Sequence, residues 1–185
     1  MAWPDDQREL TRERILESAA RLFAQKGFEQ VGIDDLMAGA SLTRGAFYSY
    51  FRTKAELYSE AIQYAAKTGG KYLRDLGQKG LGELIDGYLQ RSHTTGESMM
   101  CPLAFLSADV TRREPEVRKV YSTAFKSFVA LLSEVSPSTD RNQILQIAVA
   151  MIGGVSLARA VDEPLLCEEI LAACRSDCYE LLAGR

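Results

Sequence analysis

The composition is that of an ordinary globular protein. The chain has 185 residues, of which 46% are hydrophobic and 25% charged, and its formal net charge is −3. Five prolines and 14 glycines are too few for a low-complexity protein, and we predict one large domain or two small ones. A negative net charge argues against a nucleic-acid partner, because DNA binding requires neutralised phosphates, but the relevant charge is local.

Neither a targeting signal nor a membrane span is predicted. Residues 1–13 include Asp5, Asp6 and Glu9 and lack an apolar core, unlike a secretory signal or a transit peptide. The longest uninterrupted run of apolar residues and glycines covers 147–155, whereas a spanning helix needs roughly 20 residues. We therefore expect a cytoplasmic protein without membrane contact.

The cysteines and the lone histidine, His93, do not form a metal-binding or catalytic pattern. No C-x-x-C pair occurs, and a single histidine does not supply the spacing of a zinc site or a catalytic dyad. Cys167, Cys174 and Cys178 lie among apolar residues and are interpreted as small buried hydrophobes. We predict reduced thiols, no metal, no cofactor and no enzymatic activity.

Apolar residues recur at helical spacing nearly everywhere, which predicts an all-α fold. In the first helix, apolar residues follow Ile15 at i+4, i+7 and i+8, with Thr11 as the predicted N-cap and Gly27 as the stop. A short second helix covers 33–40, and the turn Ser41-Leu42 follows.

Capping signals mark the next two helices. Thr43 begins a third helix of about two turns, and Thr53 with Glu56 forms a predicted capping box for a fourth. The fourth helix runs from 54 to about 68 or beyond, and Gly69-Gly70 is expected to bend or end it.

The apolar spacing after residue 80 predicts further amphipathic helices. Their predicted ranges are 81–91, 102–112, 115–135, 141–161 and 164–183, with Pro115 and Pro164 in first turns. Residues 92–100 are predicted to form a long loop.

Three short helices before a long one, with a four-residue turn between the second and third, predict a helix-turn-helix. Residues 15–23 (ILESAARLF), Gly27-Phe28, residues 43–51 (TRGAFYSYF) and Lys54 resemble the N-terminal domain of TetR-family regulators. This resemblance implies a DNA-binding domain at 1–53 and a helical effector-binding and dimerisation domain at 54–185. Gly32 stands where the family usually has a Ser or Thr cap, and Ser41 where the turn usually has glycine.

Residues 36–55 contain three basic side chains and no acid, which favours contact with DNA. Arg44 is the predicted base-reading residue, because an arginine there can reach guanine O6 and N7. The alternative is a solvated arginine that pairs with a neighbouring acid. The remaining predicted DNA-contacting residues are Thr11, Arg12, Thr43, Gly45, Ala46, Tyr48, Ser49, Tyr50 and Lys54.

These residues have different predicted roles. Ala46 offers a methyl group to thymine, while Lys54 and Thr11 with Arg12 are placed at helix N-termini, where phosphates bind. Tyr48 and Tyr50 are predicted to bind phosphate while Phe47 and Phe51 point inward. For both tyrosines a half-buried core position is the competing interpretation.

The penultimate helix is apolar on two faces. Ile144, Ala148, Met151 and Val155 form one face, which we assign to the core. The other face, with parts of the last helix, is predicted to join two subunits in a homodimer, and the alternative is monomer core. The predicted interface consists of Leu145, Val149, Ile152, Leu166, Ile170, Cys174, Cys178 and Leu181.

Cys101 follows two methionines and precedes Pro102 at a predicted helix N-terminus, where a dipole stabilises a thiolate. The run from Cys101 to Val117 resembles a TetR subgroup in which some members sense electrophiles or oxidants. The alternative is that Cys101 borders a pocket for a non-covalent apolar ligand. The predicted effector-binding residues are Tyr64, Tyr88, Met100, Cys101, Phe105, Tyr121, Phe125 and Met151.

Together these features predict a transcriptional repressor that binds a palindromic double-stranded DNA operator as a homodimer and leaves it when a small molecule binds. The competing prediction is a helical small-molecule-binding protein or enzyme whose helix-turn-helix is vestigial.

Overall fold

The computed structural model describes residues 5–95 and 101–184, and these residues form helices and no strands. The predicted all-α fold is therefore confirmed. The helices are α1 (Asp5–Gln30), α2 (Ile33–Gly39), α3 (Arg44–Phe47), α4 (Lys54–Gly77), α5 (Leu81–Tyr88), α6 (Arg91–Thr95), α7 (Pro102–Phe105), α8 (Ser107–Val110), α9 (Pro115–Val135), α10 (Arg141–Ala160) and α11 (Pro164–Leu182).

The first helix begins earlier than predicted and breaks where predicted. Thr11 is not an N-cap, because α1 already starts at Asp5 and the Thr11 hydroxyl donates to the Gln7 carbonyl at 2.8 Å. Gly27 interrupts the helix with φ 76°, a left-handed conformation that favours glycine. Ile15, Ala19 and Phe23 are fully buried, as their spacing predicts.

The short helices α2 and α3 are joined by a strained turn. Gly32 caps α2, and its amide donates to the Asp35 carboxylate at 2.9 Å. Ser41 has φ 59°, which costs a non-glycine residue roughly 1–2 kcal/mol. Leu42 N–H donates to the Met37 carbonyl at 2.8 Å and closes the turn. The helix α3 is shorter than predicted, with one helical turn followed by turn residues 48–50.

The predicted capping box of α4 forms only in part. Thr53 Oγ1 accepts from the Glu56 amide at 3.0 Å, but the Glu56 carboxylate accepts from the Arg52 amide at 2.6 Å and not from Thr53. The helix then continues through Gly69 and Gly70 to Gly77. The helix therefore does not end at the two glycines.

The long C-terminal helices were predicted correctly, whereas two other predicted helices are each interrupted. Helices α9, α10 and α11 agree with their predicted ranges to within one residue at each end. The predicted helix 81–91 is two helices, α5 and α6, and the predicted helix 102–112 is α7 and α8. Part of the predicted loop is helical, since α6 extends to Thr95, and Met100 lies outside the described residues.

Helix α10 runs through the C-terminal half and packs mainly against α9 and α11. Ile144, Ala148, Met151 and Val155 are all fully buried, which confirms the predicted core face. Among the described residues, α10 is the one helix long and apolar enough to cross a membrane, by length and composition alone. A buried core helix passes the same test, and the burial of this face is what a core helix requires.

His93 is completely buried beside α5. Its Nδ1 lies 2.7 Å from the Tyr88 carbonyl oxygen, which can only accept, so Nδ1 carries the proton. Nε2 has no hydrogen-bond partner among the described residues. Burial lowers the pKa of His93 below its ordinary value of 6.5, and the hydrogen bond to Tyr88 offsets this effect only in part.

We predict that acid weakens the fold through His93. Below pH 6.5 the unfolded chain binds the proton before the folded chain does, so the free energy of unfolding falls by up to about 1.4 kcal/mol per pH unit. Urea unfolding at pH 7.5, 6.5 and 5.5 measures this slope. His93→Phe should flatten it, and an equal slope in the variant would contradict the assignment.

Candidate functional site

The surface formed by α3 and the turn after it presents polar side chains over an apolar base. Phe47 and Phe51 are buried, as predicted, and their rings lie 6.0 Å apart. Thr43 and Arg44 are exposed, and Tyr48 is 63% exposed. Thr43 occupies the N-cap position of α3 but its side chain makes no capping hydrogen bond. Its hydroxyl is therefore available to an external acceptor.

Arg44 forms an ion pair with Asp34, which precedes the acid-free segment 36–55. Arg44 Nη1 donates to Asp34 Oδ2 at 2.7 Å, and both side chains are more than half exposed. The hydrogen bond to Asp34 and its charge raise the pKa of Arg44. An exposed ion pair of this kind is weak and exchanges readily with other partners.

The other predicted DNA-contacting residues of this segment differ in exposure. Gly45 and Ser49 are exposed, and a side chain at Gly45 would meet nothing within 4 Å. Ala46 and Tyr50 are half-buried and pack against the core. The alternative of a half-buried core position therefore describes Tyr50 better than it describes Tyr48.

Three predicted phosphate-binding residues, Thr11, Arg12 and Lys54, make contacts within the protein. Arg12 forms an ion pair with Glu60 and lies over the Phe51 ring at 5.3 Å, because α1 has already begun upstream. Lys54 Nζ donates to the Val31 carbonyl at 3.0 Å and lies 4.2 Å from the Phe28 ring centroid. Thr11 and Arg12 therefore do not lie at a helix N-terminus, whereas Lys54 is the first residue of α4, as predicted.

Arg8 is a candidate that the sequence reasoning missed. It is exposed on α1, donates to the Ser49 carbonyl at 3.2 Å and lies over the Tyr50 ring at 5.9 Å. These contacts bring a cation to the end of the α3 segment. Its basic side chain could have been noticed in the sequence, but the predicted helix began at Thr11 and therefore did not include Arg8.

A cavity of about 590 Å³ lies between α4, α7 and α9. It has the size of a small-molecule site. Its apolar walls include Ala66, Leu73, Leu103, Val120, Ala124, Phe128 and Leu131, and its polar lining residues are Gln63, Lys67, Arg74, Lys119, Thr123 and Ser127.

Of the predicted effector-binding residues that are described, Cys101 alone lines this cavity. Tyr88 and Met151 are fully buried core residues, and Tyr64 lines a separate surface depression beside α1. Phe105 and Phe125 are half-buried and pack against the core. Tyr121 supports the cavity wall indirectly, since its hydroxyl donates to the Leu103 carbonyl at 2.6 Å and burial raises its pKa to about 12.

Cys101 is not an activated thiol in this structure. It is the N-cap of α7, but α7 has only four residues and Cys101 is 6% exposed. Burial raises the pKa of its thiol, and hydrogen bonds to Tyr88 and to the backbone lower it by less. The expected stabilisation of a thiolate is therefore wrong, because loss of solvent outweighs the short helix.

The last two helices expose apolar side chains on one side. Val149, Leu157 and Leu165 are 63%, 62% and 75% exposed, and Leu166 is 37% exposed. Cys178, assigned to this surface from the sequence, is fully buried in the core, and burial raises its pKa to about 12. A side chain added at Gly154 would meet the Cys174 sulfur at 2.7 Å, so Cys174 faces α10.

Residues 15–61 match the model of the family described as "Bacterial regulatory proteins, tetR family". This N-terminal segment is therefore a TetR-family domain. TetR-family members are DNA-binding transcriptional regulators, and this is the function of the chain. The matched segment contains α2, α3 and the start of α4, and thus the whole surface around Arg44.

Named relatives agree with this match. The transcriptional repressor NemR of Escherichia coli is 28% identical over 142 residues, which cover 73% of this chain and 71% of NemR. The uncharacterised regulator YxaF of Bacillus subtilis is 26% identical over 175 residues, covering 84% and 90%.

Solved structures of the family share the fold. A TetR-family regulator from Cytophaga hutchinsonii superposes with a TM-score of 0.76 at 21% identity, covering 100% of this chain and 98% of that one. The reduced form of E. coli NemR gives a TM-score of 0.72 at 22% identity, covering 90% and 96%.

Asp109 of α8 joins the helix-turn-helix region to the rest of the molecule. Its Oδ2 accepts from the Tyr58 hydroxyl at 2.6 Å and from the Phe28 amide at 3.1 Å, directly after the break at Gly27. Burial, and then the bond to Asp109, raise the pKa of Tyr58, so its hydroxyl stays a donor.

Two arginines hold the same end of α1. Arg113 pairs with Glu29 at 2.7 Å and lies 4.6 Å from the Phe28 ring centroid. Arg159 of α10 donates to the Ala24 carbonyl at 2.7 Å. We use the name α1 junction for these contacts of Asp109, Arg113 and Arg159.

We predict that Asp109→Ala lowers the free energy of unfolding by about 1–3 kcal/mol, because a partly buried hydroxyl and an amide lose their acceptor. Urea unfolding measures the change. Asp75→Ala, which removes an exposed acid of α4, should stay within about 0.5 kcal/mol of the parent. Equal losses in the two variants would contradict a specific role for Asp109.

Proposed function

We propose that this protein is a repressor that binds its operator as a homodimer and releases it when a small molecule fills the cavity between α4, α7 and α9. The observation that carries the DNA-binding part is the exposed surface of Thr43, Arg44 and Tyr48 over buried Phe47 and Phe51. The name of the relative NemR, a transcriptional repressor, supports repression.

In this proposal Arg44 reads a base and the surrounding polar groups bind phosphate. Arg44 leaves Asp34 when it meets the major groove, since an exposed ion pair opposes this exchange only weakly. Thr43 and Tyr48 donate their hydroxyls to phosphates, and Arg8 adds a cation at the edge of the surface. In this proposal Asp34 lowers the affinity for the operator, because it competes with DNA for Arg44.

We predict that Arg44→Ala removes operator binding, because the base contact and a cation are both lost. Asp34→Asn should do the opposite and tighten binding, since it frees Arg44 and removes an acid facing DNA. Electrophoretic mobility shift with DNA from upstream of the gene measures both effects.

Asp35→Asn is the matched control for Asp34→Asn. It removes one charge from the same helix, keeps an oxygen for the Gly32 amide and leaves the Arg44 partner in place. Operator affinity that is unchanged in Arg44→Ala, or raised equally in Asp34→Asn and Asp35→Asn, would contradict the assigned role of Arg44.

The homodimer in this proposal forms through the outer side of α10 and α11. Val149, Leu157 and Leu165 are the most exposed large apolar side chains of these helices. Exposed apolar surface of this kind marks interaction sites. The self-association that TetR-family regulators typically show supports a second copy of this chain as its occupant, and two copies present two α3 surfaces to a palindromic operator.

We predict that Val149→Asp produces a monomer, because a buried carboxylate in an apolar interface is costly. Sedimentation equilibrium gives the mass. Tyr72→Asp is the control, since Tyr72 is exposed on α4, away from these helices. A dimer that survives Val149→Asp, or one lost equally in Tyr72→Asp, would place the interface elsewhere.

The α1 junction supports a path from the cavity to the DNA-binding surface. Pro102 and Leu103 of α7 line the cavity, and α8 with Asp109 follows α7 directly. A ligand that displaces α7 therefore pulls on Tyr58 and Phe28 through Asp109. Release of DNA then requires the ligand to bind the displaced state more tightly than the resting state.

A second candidate function, a small-molecule-binding protein with a vestigial helix-turn-helix, is favoured by the cavity alone. It predicts ligand binding with no DNA affinity above the non-specific level at moderate salt. The mobility-shift measurement of the parent protein separates the two candidates.

A further inference from the structure

The cavity between α4, α7 and α9 has a charge pattern opposite to that of the whole chain. The chain carries 25 acidic and 22 basic side chains. Among the described residues that line the cavity, three are basic and none is acidic: Lys67 and Arg74 from α4 and Lys119 from α9. The basic groups thus come from both long walls.

These cations have no ion-pair partner in the described structure. Lys67, Arg74 and Lys119 form no ion pair with any residue of 5–95 or 101–184. All three residues are exposed at the cavity border, so their long side chains keep their charged ends hydrated when the site is empty. A negatively charged group that enters the cavity would therefore be attracted by three positive charges.

Small residues of α4 create the space beneath these charges. Ala65, Ala66, Gly69 and Gly70 all border the cavity, and a side chain added at Gly70 would meet nothing within 4 Å. Leu73 from α4 and Phe128 and Leu131 from α9 provide apolar walls. The space therefore suits an apolar body, while the cations suit an anionic end.

We infer that this cavity binds amphipathic organic anions, in which a carboxylate lies near Lys67, Arg74 and Lys119 and an apolar tail lies against Leu73, Phe128 and Leu131. This inference names the ligand class of the effector cavity in the proposed function and rests on that assignment. Neutral or cationic ligands with the same tail bind less well, because they gain nothing from the three cations or are repelled by them.

The experiment compares decanoate, decan-1-ol and decyltrimethylammonium by isothermal titration calorimetry on the full-length protein without DNA. Decanoate is expected to bind about ten-fold or more tightly than the other two, with an affinity that falls as salt rises. Decan-1-ol binding as tightly as decanoate would overturn the inference.

Matched lysine variants locate the charge effect. Lys67→Met and Lys119→Met should each weaken decanoate binding about two- to five-fold and leave decan-1-ol binding unchanged. The controls are Lys71→Met on α4 and Lys126→Met on α9, which remove exposed cations that do not line the cavity. Equal weakening by the control variants would show a general charge effect and overturn the inference.

A cavity-filling variant locates the tail. Gly70→Leu places a side chain in the open space and improves the helix propensity of α4, so the fold should hold. Decanoate affinity should drop about ten-fold or more, while Thr68→Leu, at an exposed position of α4 that does not line the cavity, should change nothing. Unchanged binding in Gly70→Leu would place the ligand elsewhere.

The proposed repressor function is tested separately, by adding decanoate to the protein–DNA complex. Decanoate that binds the protein but leaves operator affinity unchanged would contradict an effector role for the cavity, and the ligand class would stand. Operator binding by a protein with no preference for decanoate would contradict the ligand class, and the DNA-binding assignment would stand.

Discussion

The carboxylate of Asp109 is the contact on which the arrangement of this regulator depends. It accepts hydrogen bonds from Tyr58 of α4 and from the Phe28 amide, 51 and 81 residues away in the chain. The Gly27 break turns that amide out of the helix ladder and makes it available. A single acceptor therefore joins the end of α1, the long helix α4 and the short helices beside the cavity. Because the contacts are few and directional, a small displacement of α8 changes all of them together.

The α3 surface that we propose binds DNA has few polar groups that are bound within the protein. Phe47 and Phe51 anchor α3 from below, which leaves Thr43, Arg44 and Tyr48 at the surface. Arg12 and Lys54, by contrast, bind Glu60 and the Val31 carbonyl, and these contacts hold α1 and α4 in place. Basic residues close in sequence thus divide into a structural group and an exposed group. Burial and nearby acceptors decide the division, since a cation beside a carboxylate or an aromatic ring is stabilised there.

The cavity follows from side-chain size along α4. Alanines and glycines at 65, 66, 69 and 70 face a helix, α9, that carries large apolar residues. The helix stays intact because the backbone hydrogen bonds of α4 continue through the two glycines. The same burial that makes this region apolar raises the pKa of Cys101. Non-covalent binding is the chemistry that such an environment favours.

The sequence by itself determined the long C-terminal helices and the class of the protein, and tertiary structure decided which side chains are available. Apolar periodicity, first-turn prolines and the Thr53 cap act within about one helical turn, so α9 to α11 and the start of α4 were predictable from local pattern. The acid that engages Arg44 lies ten residues away and the walls of the cavity come from three separate helices. No local pattern in the sequence contains such distances, and for this reason six of the seven predicted effector-binding residues that the structure describes do not line the cavity.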